Sequence, residues 1–425
     1  MTPNKTITAS RPLKNRKGVA LLLAIFSIML LTFVVTEVTY DTQVEYITAA
    51  NRVDRLKAYY AAKSGVELSL LRILIYKQAM ATYGDQLGAQ KSLLDPIWQL
   101  PFAWPPILPD NMTTVSKDEI NKTVAESTLD AQYLATIESE GGKIDLNDLA
   151  SPVKSLAEST KQQIVQIFSR ELENNDDFKD KHSGEDFQSL VNRMVDWVDE
   201  NQERVEGGSE KDDYQDDLSG DTVPPNQPFK TISELHLIKG MKDDFFKLLE
   251  SRVTVYGTKG INVNYAPKEV LQALDRQMTD EVVQRVMERR NNPDLGGLFA
   301  NADDFLGFIS GYGVNSETFN EAGVPLLFDA EYNFRITAIG QSKKSSKEIS
   351  VITYDFDTSK DRFIELLDKQ EEKEKGTTNS NTGTNTNTNT TGNDDTDNED
   401  DKKAKDTKKI KMPSGRPRVV YWKET

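Results

Sequence analysis

The sequence predicts an α+β protein hung from one long N-terminal helix, with a strand-rich part that is split by a large all-α insertion. Three observations predict it. An apolar run near the N-terminus passes without a proline into amphipathic helical spacing. Strand-like alternation occurs at 131–138 and again at 332–339 and 347–356. Between these two places the periodicity is mostly helical, and after Asp357 the chain turns into a low-complexity tail.

The helix comes first. Residues 1–17 hold Lys5, Arg11, Lys14, Arg16 and Lys17 and no acid, and Val19 to Val35 is apolar except for Ser27 and Thr32. As a helix that run is about 26 Å long, near the lower limit for crossing a bilayer. The basic flank favours the cytoplasmic side, which puts the bulk of the chain across the membrane. A cleaved secretory signal would need small residues after the apolar run, and Thr36-Glu37-Val38-Thr39-Tyr40 offers none. A plain anchor remains open. The alternative lies in Lys17-Gly18-Val19, where a glycine between basic patch and apolar helix resembles a prepilin leader cut between Gly18 and Val19. No proline occurs from Val19 to Lys77 and the only glycine there is Gly65. Apolar residues recur at Val44, Ile47, Val53, Leu56, Tyr60, Leu70, Ile73 and Leu74, so one helix of about 60 residues is expected, half in lipid and half on a soluble domain.

Prolines at 96, 101, 105, 106 and 109 mark an irregular connector, and helical patterns cover 158–174, 186–200, 242–251, 266–275, 279–291 and 301–310. Thr377 to Gly392 is almost wholly Thr, Asn and Gly, followed by an acidic patch and a basic end from Lys402 to Arg418. Such a tail cannot bury enough surface to order itself and reads as a solvated spacer, with docking on an acidic or lipid surface as the lesser reading.

Composition excludes several functions. A net charge of −16 argues against general nucleic-acid affinity. The absence of cysteine removes disulfides, thiolate metal sites and cysteine nucleophiles. His182 and His236, the only histidines, are far apart and read as surface or packing residues. No phosphate-binding glycine loop is present, so no enzymatic role is expected. Ile261 to Leu271 resembles the first half of a helix-hairpin-helix element, but the glycines expected after Leu274 are missing and Asp275 stands there, which favours a packing unit.

One segment carries chemistry. Between Asp196 and Asp217 there are ten acidic residues against Arg204 and Lys211. A run this dense is either solvated or neutralised by a cation, and calcium takes six to eight oxygens from such groups. With Asp199 as position 1 of an EF-hand-like loop, Asn201, Glu203 and Glu210 fall at positions 3, 5 and 12, while Arg204 replaces the glycine of position 6.

Several of these segments together resemble the minor pseudopilin K family of type II secretion: Lys17-Gly18-Val19-Ala20-Leu21-Leu22, Tyr60 to Glu67, Gly141 to Asn147, and the acidic loop through Met241. Most pilins carry glutamate at the fifth mature position. Here that position is Leu23, and the K family is the one that lacks the glutamate, as suits a tip subunit with no predecessor to pair with. The resemblance implies a pilin-like α/β domain hosting an inserted helical domain, divided as 1–18 leader, 19–80 membrane and stem helix, 81–157 first α/β part, 158–330 insertion, 331–357 second α/β part and 358–425 disordered tail. It implies a structural calcium site at the acidic loop, where Asp196, Asp199, Asn201, Glu210, Asp212 and Asp213 align with the family's segment, although the asparagine at 201, Ser209 and Lys211 depart from it. It further implies cleavage and N-methylation by a prepilin peptidase, partnership with minor pseudopilins I and J at the pseudopilus tip, and contact with secreted cargo or the outer-membrane secretin. The implied location is the bacterial inner membrane, with the bulk of the chain periplasmic. A minor pilin of a type IV pilus or DNA-uptake filament, and a membrane-anchored calcium-binding adaptor, are the alternatives.

Overall fold

The computed structural model describes residues 17–108, 112–214, 224–380 and 415–425. Helix α1 (Lys17–Leu87) is continuous over 71 residues, and it is long and apolar enough to cross a membrane. Its apolar side chains from Val19 to Val38 are exposed. The threonines in this part fold their hydroxyls back onto the preceding turn, Thr32 onto Ile28 O at 2.8 Å and Thr36 onto Thr32 O at 2.8 Å, so these donors are matched within the helix.

The second half of α1 is a packing helix. Ala58, Ala61, Ala62, Val66, Leu70, Ile73, Tyr76 and Met80 are buried at helical spacing. Small residues let the helix backbone sit directly on the sheet. A Cβ added to Gly65 would meet Ala135 and Ala338 at 3.3 and 3.2 Å, and one added to Gly340 would strike the Ala58 carbonyl of the helix.

After α1 come α2 (Pro96–Gln99), β1 (Phe102–Trp104), α3 (Thr114–Glu126) and β2 (Gln132–Ser139). The connector is therefore more regular than its prolines suggest: β1 pairs antiparallel with β2, Ala103 opposite Leu134. The insertion follows with β3 (Ile144–Asp145), α4 (Lys154–Asn174), α5 (Asp176–His182), α6 (Phe187–Val198), α7 (Lys211–Tyr214), α8 (Asp243–Glu250), β4 (Val253–Thr254), β5 (Ile261–Asn262), α9 (Lys268–Ala273), α10 (Asp280–Asn291), α11 (Ala302–Ser310), α12 (Ser316–Ala322) and β6 (Leu326–Leu327). Then the chain returns as β7 (Phe334–Ser342) and β8 (Ser345–Thr353), followed by α13 (Phe356–Ser380) and β9 (Val419–Glu424). The main sheet has the order β1-β2-β7-β8-β9, antiparallel throughout.

Two expectations are corrected here. The insertion begins right after β2 rather than at residue 158, because Ile144 and Asp145 pair in parallel with Val253 and Thr254 inside it. The tail is not structureless from residue 358. Helix α13 occupies its start, supported by the pairs Glu365–Lys369 and Glu371–Lys375, and β9 occupies its end; residues 381–414 lie outside the described segments.

Two apolar cores result. One joins α1 to the sheet around Ile73, Tyr76, Trp98, Phe334, Ile336 and Val351. The other fills the insertion around Ile164, Phe168, Met194, Leu235, Phe245, Val270 and Phe305. Where the two meet, buried charges are matched. Glu140, fully buried, accepts from Arg335 Nε at 3.1 Å, Lys143 Nζ at 3.0 Å and Thr254 Oγ1 at 2.7 Å. Lys259 Nζ lies 2.6 Å from Asp148 and 3.1 Å from Asp145. Burial works to raise the Glu140 carboxyl, but Lys143 and Arg335 outweigh it and hold it below its ordinary value.

The helix-hairpin segment is a packing unit in the structure. Arg290 donates to the carbonyls of Val263 and Ala266, and Arg170 of α4 donates to those of Asp275, Arg276 and Met278 at the turn between α9 and α10. That turn presents carbonyls to an arginine, the reverse of what a phosphate needs.

Candidate metal centre

Helix α6 fixes the site. Its N-cap, Asp186, accepts from Ser189 N, and its inner face buries Leu190, Val191, Met194, Val195, Trp197 and Val198. With that face committed to the core, the last turn carries Asp196 and Asp199 to the point where the loop departs. The loop returns through a turn in which Gly207 and Gly208 both have positive φ, 89° and 93°. Arg204 N donates to Gly208 O at 3.0 Å, and the Arg204 guanidinium closes on Gly207 O. Glu203 bridges Ser209, and Glu210 N donates to Gln202 O at 3.3 Å. Glu210 is thereby delivered beside the end of α6. Behind it the Trp197 ring meets Tyr214 of α7 at 6.1 Å.

Oxygens of Asp196, Asp199 and Glu210 lie within 4.8 Å of one another. Val205 N donates to Asp196 Oδ1 at 2.8 Å, and Asn201 Nδ2 holds Asp199 Oδ2 at 2.9 Å. Asp199 Oδ1 and Glu210 Oε1 are buried and meet no hydrogen-bond donor among the described residues. Burial, then Asp199 and Asp196, push the Glu210 carboxyl up to about 7, and burial raises Asp199 as well. Three converging carboxylates, two of them with an oxygen that meets no donor among the described residues, are a donor set that fits a hard divalent cation such as calcium.

The remaining predicted ligands divide. Asn201 is exposed and acts on Asp199: its Oδ1 accepts from Glu203 N at 2.7 Å while its amide steadies the carboxylate. Glu203 and Asp212 are exposed at the rim. Nothing is described of the Asp213 side chain, nor of residues 215–223. Of the EF-hand-like count, positions 1 and 12 converge and positions 3 and 5 do not. Asp196, which precedes that count, takes part because it lies nearly one helical turn before Asp199.

The histidines lie elsewhere. His182 packs between Phe178 and Phe245 with Nε2 3.4 Å from Asp244, and His236 lies against Phe246. Gly18 and Val19, the expected leader junction, are in the first turn of α1, with Val19 exposed.

Residues 142–258 and residues 261–324 each match a family described as type II secretion system (T2SS), protein K. The two matched segments make up most of the insertion, and the likeness to protein K lies there. The acidic loop falls inside the first matched segment, and α9 to α12 fall inside the second. A chain in the crystal structure of the GspK-GspI-GspJ complex from the enterotoxigenic Escherichia coli type 2 secretion system is 19% identical, with a TM-score of 0.41, over 54% of this chain and 77% of that chain. No curated protein matches it.

Proposed function

We propose that this protein is the minor pseudopilin at the tip of a type II secretion pseudopilus, where it primes assembly with minor pseudopilins I and J and supports export across the outer membrane. The observation that carries the reading is α1: one helix whose apolar first part starts at the Gly18–Val19 junction and whose second part is locked onto an antiparallel sheet. An anchor alone would not need a rigid helix shared between lipid and domain; a filament subunit does, because its stem must transmit the position of the head. The match of the insertion to protein K supports the choice of machine. In this reading a prepilin peptidase cuts after Gly18, the basic leader lies in the cytoplasm and the head lies in the periplasm. The role is structural rather than catalytic.

Calcium belongs to the same reading. Asp196, Asp199 and Glu210 would hold it, and bound there it would supply the positive charge that these carboxylates lack. The loop 199–210 then stays closed on α6, which steadies the outer end of the insertion.

Co-expression with a prepilin peptidase, followed by mass spectrometry of the mature N-terminus, tests the reading. A product beginning at Val19 is expected, with or without N-methylation. An intact Met1, or a cut beyond Val35, overturns it.

A further inference from the structure

Strand β9 is held differently from the rest of the sheet. Glu424 to Tyr421 pair antiparallel with Ile349 to Ile352, and the ladder shifts register after Ile352. Glu348 and Thr425 exchange both hydrogen bonds, at 3.1 and 3.0 Å, and Tyr354 N donates to Arg418 O at 3.0 Å. Its side chains bury little. Val419 and Trp422 are exposed at 42% and 38%, whereas Ile349, Val351 and Ile352 of β8 are buried. The polar contacts at its ends are weak: Tyr59 donates to Glu424 at 3.2 Å, Arg416 stands 3.5 Å from Glu67 and Arg418 3.9 Å from Asp357, all on the surface. Main-chain bonds with few buried side chains are how a peptide adds to a sheet edge, and such a unit opens at low free energy. The chain between α13 and β9, residues 381–418, has as apolar residues only Ala404, Ile410 and Met412 besides glycine and proline. Its contour reaches on the order of 130 Å, far more than a fixed connection needs.

We propose that the outer edge of β8 is a strand-docking site, and that its ligand is this chain's own C-terminal segment 415–425, which leaves and rebinds as a tethered peptide. The tether keeps the segment at high effective concentration, so the edge is covered most of the time. When the segment leaves, β8 presents unpaired backbone groups to any extended strand that reaches it.

The test uses the full chain in detergent, with a specific protease site placed within 381–414. Because Glu348 and Thr425 form a bonded pair, alternation puts the Ser350 and Ile352 amides on β9. After cleavage and gel filtration these two amides should exchange at least tenfold faster, while the β7 amides stay protected. A fluorescent peptide of residues 415–425 should rebind saturably, and the same peptide with Lys423→Pro at least tenfold more weakly, since proline removes a ladder donor. A severed segment that stays bound and never exchanges with the peptide would make β9 a permanent strand and overturn the proposal. So would Ser350 and Ile352 amides that exchange equally fast before and after cleavage, or equal binding of the proline peptide.

Discussion

At the seam between sheet and insertion, Asp145 and Asp148 close on Lys259; in the acidic loop, Glu210 closes on Asp196 and Asp199. Both clusters bury carboxylates, and both belong to the insertion. The seam carries its own cation, whose charge is stabilised because the two aspartates outweigh the effect of burial. One lysine cannot neutralise two carboxylates, so burial and Asp145 still push Asp148 up to about 7. Among the described residues the loop has no such internal match at Glu210, and oxygens of Asp199 and Glu210 meet no donor. The seam brings its counter-charge in the chain; in the proposed reading the loop takes one from outside.

The largest effect should come from the seam. Lys259→Ala leaves Asp145 and Asp148 buried without a cation, and an unpaired buried charge costs about 3–5 kcal/mol. Denaturant unfolding should show that loss with or without calcium, and a loss under about 1 kcal/mol would break the comparison. The loop should respond to the ion instead. Removing calcium with a chelator should lower stability by about 2.7 kcal/mol relative to a hundredfold excess over Kd. Thermal melts read this, and Glu210→Gln should abolish the calcium response while leaving the metal-free fold intact. A chelator-insensitive wild-type melt would put the loop in the solvated class.

A third buried acid sharpens the contrast, since it has neither lysine nor open loop. Asp95 accepts from Tyr265 at 3.0 Å and from Tyr76 at 3.3 Å between the stem and the insertion, and burial pushes it up to about 7. Its neutral form is kept by a proton. The folded state then binds that proton more tightly than the unfolded chain, so stability falls as pH rises from about 4 to about 7 and levels off above, by at most about 1.4 kcal/mol per pH unit. Asp95→Asn should flatten this part of the profile; Asp148 contributes the same sign and remains in both proteins. An unchanged slope in the variant would assign the pH dependence to other groups. The smallest effect is expected from Asn201→Ala, which frees Asp199 Oδ2 from its amide partner. Calcium affinity should weaken about tenfold with little change in the metal-free melt, and titration calorimetry measures it.

Legibility followed the range of the interactions. Helix α1 could be read because its evidence is contiguous: an apolar run, no proline, helical spacing. The β2, β7 and β8 alternation was equally plain. The acidic loop could be found by charge density, but density did not say which carboxylates meet. Glu203 and Asp212 are carboxylates like Asp196 but lie exposed, whereas the turn at Gly207 and Gly208 returns Glu210 to the end of α6. The Lys259 cluster was invisible, since its partners lie more than 100 residues apart in sequence. Strand β9 did leave a signal in Val419-Val420-Tyr421-Trp422, β-branched and aromatic, but the low-complexity stretch before it hid the change.

The long apolar stem helix, the split of a sheet by a helical insertion and the crowded acidic loop were legible in advance, because each is written in neighbouring residues through period, composition or charge. Which three carboxylates converge, which lysine lies between the seam aspartates and where the last strand docks came from the folded arrangement alone. Those outcomes depend on chain segments distant in sequence being brought together by core packing, and a local pattern carries no record of its distant partner.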